Sequence, residues 1–446
     1  MFKRLILVGM IAVLIAALVP SLSNNAVIAQ EGDDMMNPCG TEDEVELTII
    51  AGSVGQEGEI VAEQVARFEE LCPNVSVEIV PRPDSATDTI AQYLNFFEAQ
   101  SGDIDVYQID VIWPGILAEH LVDLNEYLPA EVIDAHFAPI IENNTVDGRL
   151  VGLPWFTDAG LLYYRTDLLE KYGLDVPRTW QELTEYAQII QDGERAEGNA
   201  DFYGFVFQGN AYEGLTCDAL EWQASSGGGV IISPEGEIQV NNPETIAAFE
   251  LAASWVGTIS PEGVTTYQEE EARGVFQAGN AAFMRNWPYA YSLGQAEDSP
   301  IAGLFDVTTL PGAEEGMTAA TLGGWQLAVS QYSDNVEAAV ALAAFLASPE
   351  EQKIRAIEGS YNPTIGALYE DEDVLEAVPF FGSLFDVFTN AVARPSTVSG
   401  AEYNNVSILY FTAVHSILTG QQSAADALAV LEQDLLEISE DFYLPE

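Results

Sequence analysis

Between Val45 and Ile109 the hydrophobic period of the chain switches four times. Val45–Ala51 alternates as a strand does. Glu59–Cys72 carries Ile60, Val61, Val65, Phe68 and Leu71 on helical spacing and is stopped by Pro73. Val75–Val80 is strand-like again. Thr87–Ala99 spaces Ile90, Tyr93, Leu94 and Phe97 as a helix, and Ile104–Ile109 is a third strand. Parallel strands need a crossover between them, and a helix is the usual one. The pattern therefore predicts an α/β unit with a largely parallel sheet. Ligands of such sheets bind outside the carboxyl ends of the strands, and Asp110 stands at one such end. A segment at Leu150–Ala159, containing Pro154, leads into a second α/β stretch. Helical patterns lie near Trp180–Gln191, Pro243–Val256 and Asn335–Ala347. Strand-like runs lie at Tyr203–Gln208, Ala281–Arg285, Phe305–Leu310 and Ala319–Ser330. Beyond Pro363 the pattern is helical almost to the end, with no internal repeat. At roughly 150 residues per domain, 446 residues suggest two to three domains.

Charge excludes several functions. The chain has 71 acidic against 14 basic residues, a formal charge of −57. Nucleic acid and anionic lipid need clustered Lys and Arg, so neither is expected as a partner. A disordered acidic chain would be poor in apolar residues. Here 48% are hydrophobic and 10% aromatic, so the acid must coat a folded protein.

The first 29 residues have the form of a secretory signal. Lys3 and Arg4 precede an apolar run, Leu5–Val19, too short for a membrane span of about 20 residues. Val27-Ile28-Ala29 offers a small-residue cleavage site before Gln30. Residues 30–44 are polar and form a flexible leader. Cys39 follows Met36-Asn37-Pro38, a poor setting for lipid attachment. Cys39 precedes the first strand and Cys72 ends the first helix, so an export route lets them pair. Cys217 is left over as a small buried residue. His120, His136 and His415 are scattered, with no HExxH and no CxxC. Neither a metal nor another cofactor is expected.

Four segments carry recognition. Asp158–Gly173 reads DAGLLYYRTDLLEKYG and is followed by Thr179-Trp180-Gln181-Glu182-Leu183. Asn286–Tyr291 reads NWPYAY, Thr321–Ser330 reads TLGGWQLAVS, and Asp103–Asp110 reads DIDVYQID. Together they resemble the extracellular solute-binding proteins of carbohydrate ABC importers, above all the trehalose/maltose-binding proteins. The resemblance covers residues 45 to 440, motifs in order. It implies a two-lobed α/β periplasmic-binding-protein fold like that of maltose-binding proteins, with a sugar cleft between lobes and hinge closure on the ligand. Crossovers are then expected near 154–158, 307–311 and 361–363. The lobes become 42–155 with 310–362, and 156–309 with 363–446.

The resemblance also implies the site. Glu57, Asp110 and Asp158 should accept sugar hydroxyl hydrogens. Trp287 and Tyr289 should present rings to a sugar face, and Gly324 and Trp325 a close backbone approach and a second ring. Arg394 should donate to hydroxyl oxygens. Two positions depart from the close relatives: Phe156 stands where they have a tyrosine, and Gln92 where they have an arginine in the helix after the second strand. Those departures leave the identity of the sugar open. The implied partners are a disaccharide or oligosaccharide and the transmembrane permease, met by a monomeric receptor in the periplasm or at the outer cell surface.

Residue chemistry agrees with a sugar site. A sugar ring has a C–H face that suits flat aromatics and a hydroxyl rim that suits charged acceptors. Trp155, Trp180, Trp222 and Trp255 are better explained as core. Trp113, close after Asp110, is a further cleft candidate. The acidic run Glu269–Glu271 is read as a solvated face. A secreted glycosidase is the rival reading, since paired carboxylates can act as acid and base. No GxSxG, P-loop or zinc motif supports chemistry, so no enzyme is expected. A two-lobed binder of a non-sugar solute is the third possibility.

Overall fold

The computed structural model describes residues 37–442. The export signal at 1–29 and the start of the leader lie outside the described residues. Two α/β layers make up the rest. In the first, Val45–Ala51 pairs in parallel with Val75–Pro81 and with Val106–Asp110. The helices Glu57–Leu71 and Ala86–Glu98 are the two crossovers. The sheet is not parallel throughout. Leu322–Val329 runs antiparallel between Val106–Asp110 and Leu153–Ala159. That late strand returns from the second layer and needs no crossover helix of its own, so it is free to enter in the opposite sense. Its register puts Trp325 opposite Asp110 and Gly323 opposite Asp158. Three motifs far apart in sequence thereby become neighbours.

The second sheet has the order Phe305–Thr308, Leu161–Arg165, Ala281–Asn286, Tyr203–Val206. Its helices have clear starts. Trp180–Ala196 opens on a capping box between Thr179 and Glu182. Pro243–Trp255 opens on an Asn242 cap followed by Pro243. Trp180, Trp222 and Trp255 are buried with Phe205 and Phe207 in one aromatic cluster. The helix Glu213–Ser225 is buried on nearly every side, against Pro243–Trp255 and Tyr403–Leu418.

The stretch beyond Pro363 does not all go with the second layer. Lys353, on a first-layer helix, holds Asp371 at 2.8 Å and Asp373 at 2.7 Å. Phe137 packs its ring on Tyr369 and Phe385. These ion pairs and rings tie Gly366–Thr389 to the first layer, with Phe380 also packed on Tyr291 of the second, and the helix Tyr403–Leu418, whose first ring lies in the first layer's core, then packs on the second. Cys39 and Cys72 form a disulfide, and Cys217 is a buried free thiol. His136 is buried against the Thr364 hydroxyl, and burial pushes its pKa down to about 4. Among the described residues no helix is long and apolar enough to cross a membrane, and no metal-binding cluster occurs.

Candidate functional site

The carboxyl end of the first sheet faces the second layer across a narrow cleft, continuous with solvent, that leaves about 80 Å³ for water-sized molecules. Glu57, Asp110, Phe156, Asp158, Trp287, Tyr289, Gly324, Trp325 and Arg394 all line it. Two further candidates do not. Gln92 is half-buried on Ala86–Glu98, away from the cleft. Trp113 is buried behind it and sets its ring edge-on to Trp325, 5.5 Å between centroids.

Glu57 is the first residue of its helix, where the helix dipole favours a negative charge. Its Oε1 accepts from Gln108 Nε2 at 2.9 Å and from Arg355 Nη2 at 3.4 Å. Its Oε2 lies 3.7 Å from Arg82. Gly52 makes this possible, because a Cβ there would fall 1.9 Å from Glu57 Oε2. Gly324 has φ +122°, and a Cβ on it would meet the Phe156 carbonyl oxygen at 2.6 Å. Only glycine lets the two strands approach so closely beneath Trp325.

Each cleft indole rests against a guanidinium. Arg82 lies 3.8 Å from the Trp325 ring centroid and Arg285 3.9 Å from that of Trp287. Such contacts contribute roughly 0.5–2 kcal/mol and fix the ring plane. Arg285 is itself locked by Glu221 at 2.5 Å, Asp218 at 3.0 Å and Gln208 at 3.1 Å. Trp287 Nε1 donates to Glu269 at 3.3 Å. The Tyr289 hydroxyl donates to Glu270 at 2.6 Å, so its ring rather than its hydroxyl is free to serve a ligand.

Asp158 is the cleft acid left with an unsatisfied oxygen. It is buried, and its Oδ1 has no hydrogen-bond partner. Burial pushes its carboxyl well above the ordinary range, and the Glu57 charge adds to this, while Arg285 and Arg355 pull the other way. Asp110 and Arg394 are by contrast already engaged. Arg394 Nη2 donates to Asp110 at 2.9 Å and Nη1 to Glu213 at 2.8 Å. Of the Arg394 guanidinium, Nε is left without a partner.

The motifs missed several lining residues. Arg82 follows the strand Val75–Pro81 and supplies the rim cation whose loss Gln92 suggested. Its strand-end position was the available signal. Tyr361 stands 5.0 Å from Phe156, ring to ring, and brings a phenol beside the position that lacks one. Glu269, expected as a solvated acid, is half-buried under Trp287, and desolvation pushes its carboxyl up. Glu213 lay in a helix with no amphipathic signature.

Residues 51–353 match the family described as bacterial extracellular solute-binding protein. The chain belongs to that family. This solute-binding protein is 53% identical over 395 residues to the probable ABC transporter-binding protein of Deinococcus radiodurans, covering 88% of this chain and 94% of that one. It is 42% identical to maltose-bound MalE3 of T. maritima, with a TM-score of 0.84 over 88% of this chain and 99% of that one. An ABC transporter solute-binding protein of Thermotoga lettingae, bound with α-D-tagatose, is 25% identical with a TM-score of 0.78, over 88% and 99%. The solute-binding protein thus has the two-lobed fold of the carbohydrate ABC importers' receptors, as its motifs implied.

Proposed function

We propose that this solute-binding protein captures a disaccharide or short oligosaccharide of the trehalose or maltose kind between its lobes, and closes on it for delivery to the transmembrane permease of an ABC importer. One observation carries the reading. Asp158, whose buried carboxyl has one oxygen without a partner, lines a cleft walled by two indoles. A sugar hydroxyl supplies the missing donor as a charge-assisted hydrogen bond, while the sugar's C–H faces suit Trp287 and Trp325. The maltose bound by the T. maritima relative supports the same class of ligand. The lobes are taken as 42–155 with 310–362 and 156–309 with the helices from Tyr403 on, Gly366–Thr389 lying on the first. The protein acts as a monomer outside the cytoplasm, after cleavage near Ala29, and does no chemistry on its ligand.

Calorimetric titration with trehalose, maltose, sucrose and short maltodextrins tests this. The expected result is one-to-one binding of at least one sugar, recovered uncleaved. Silence across the panel overturns the choice of ligand class, and sugar hydrolysis overturns the receptor reading.

A further inference from the structure

Glu213 is the first residue of Glu213–Ser225, a second-layer helix, yet the groups around it come from both layers. Its Oε1 accepts from Arg394 at 2.8 Å and from the Tyr403 hydroxyl. Its Oε2 accepts from Ser407 at 2.5 Å. Its backbone N–H donates to the Thr87 hydroxyl at 3.1 Å, on a first-layer helix. Arg394 is held to the first sheet by Asp110 at 2.9 Å and by the Leu322 carbonyl at 3.3 Å. The Tyr403 ring is packed in the core cluster of that same layer, with Ile90, Tyr93 and Trp113. Ser407 belongs to the helix that packs on Glu213–Ser225. The carboxylate at the tip of this helix therefore receives Arg394, fixed to the first sheet, and two hydroxyls of the helix Tyr403–Leu418, whose first residue is set in the first layer's core and whose body packs on the second. It is buried, with both oxygens occupied by protein.

We propose that Glu213 is a positioning residue that clamps the second lobe to the first through Arg394, and so sets how long the closed cleft lasts, rather than a group that reads the sugar. This rests on the sugar-receptor reading and assigns Arg394 a bridging role beside any contact it makes with ligand. The chemistry follows from the pairing. Two carboxylates on different lobes share one guanidinium, and charge-assisted bonds of this sort are the strong ones. The pair is buried at the cleft wall, so salt screens it less than it would a surface pair. A clamp adds the same increment to every closed complex, whichever sugar lies inside. A hydroxyl acceptor would instead favour one sugar over another.

The test compares the exported protein with its Glu213→Gln and Ser407→Ala variants, using maltose and trehalose as probes. Kd is read by calorimetry and koff by stopped-flow tryptophan fluorescence. Glu213→Gln keeps the shape and removes the charge shared with Arg394. It is expected to raise Kd for each bound sugar about tenfold, by a common factor and mostly through a faster koff. Ser407→Ala removes one donor outside the cleft and should shift Kd about threefold in the same direction; it decides the matter should Glu213→Gln fail to fold. Kd and koff within a factor of 1.5 of wild type in both variants overturn the clamp. A shift that differs between sugars overturns it too, and makes Glu213 a sugar contact. Wild-type protein that binds neither sugar refutes the proposed ligand class and the clamp that rests on it, whereas unaltered variants of a binding wild type refute the clamp alone.

Discussion

Asp158→Asn should make the protein more stable and a worse receptor. The substitution keeps the side-chain shape and removes the charge. In the wild type, Oδ1 is buried without a partner, and burial raises the carboxyl's pKa well above its ordinary value. The folded state then holds the proton more tightly than the unfolded one. The associated stability is full below the unfolded pKa of about 3.9 and is lost as pH rises through the raised folded value. Leaving a buried polar group unpaired costs about 1–3 kcal/mol, and more when it is charged. An amide avoids the charged part of that cost. Without sugar, the variant should melt at least about 2 °C above wild type at pH 8. The difference should close as pH falls toward about 4. With sugar the order reverses, because hydrogen bonds to charged groups contribute about 1.5–3 kcal/mol. That is a ten- to hundredfold loss of affinity. Thermal melts across this pH range and calorimetry at neutral pH check both halves. A variant less stable than wild type at pH 8 would show that Asp158 is not strained, and one that binds with wild-type affinity would show that it is not a ligand acceptor.

Other perturbations have calculable outcomes. Trp287→Ala removes a ring face, so roughly 0.5–1.5 kcal/mol of aromatic contact is lost together with the apolar burial beneath the sugar, and Kd should rise at least about tenfold. Arg285 stays locked by Glu221 and Asp218 in that variant, so its Tm should fall by no more than about 3 °C; an unchanged Kd removes Trp287 from the site. Reduction of Cys39–Cys72, which span 33 residues, should lower stability by about 3–4 kcal/mol through restored chain entropy while sugar affinity at 25 °C persists. A melting temperature that dithiothreitol leaves unmoved contradicts that account. With a formal charge of −57, raising NaCl from about 0.05 to 1 M should raise Tm, because the Debye length shrinks from over 10 Å to about 3 Å. A fall in Tm over that range argues that surface repulsion is not a destabilising force here.

What the sequence disclosed depended on local periodicity and on motifs. Ile60, Val65 and Phe68 mark the inner face of Glu57–Leu71 because one side of that helix is wet. Glu213–Ser225 gave no such sign, since protein surrounds it and both its polar and apolar residues are buried. Its charged residues Glu213, Asp218 and Glu221 find their cations at Arg394 and Arg285, over 60 residues away in the chain. Pairings at that range leave no local trace. The antiparallel entry of Leu322–Val329 escaped for the same reason: register is set by the neighbouring strands. Motifs located the indoles of the cleft, but only packing revealed the guanidinium behind each one. The same holds for Tyr361, whose phenol approaches Phe156 from 205 residues downstream.

The scarcity of cations makes their placement informative. Twelve of the 14 basic residues remain after Lys3 and Arg4 are set aside. Four of them, Arg82, Arg285, Arg355 and Arg394, are buried at or just behind the cleft. Two steady the indoles, one sits among Trp155, Phe156 and Tyr361, and one joins Asp110 to Glu213. All four are neutralised there by carboxylates of the chain. None is left to balance the acid outside. The surface field is therefore strongly negative while the cleft keeps a charge pattern of its own. A neutral sugar feels no net force on approach, whereas a sugar phosphate or a uronic acid is repelled over about a Debye length. Acidity of the shell can thus reject anionic relatives of the ligand before any hydroxyl reaches Asp158, leaving the cleft to discriminate among neutral sugars by shape and hydrogen bonding alone.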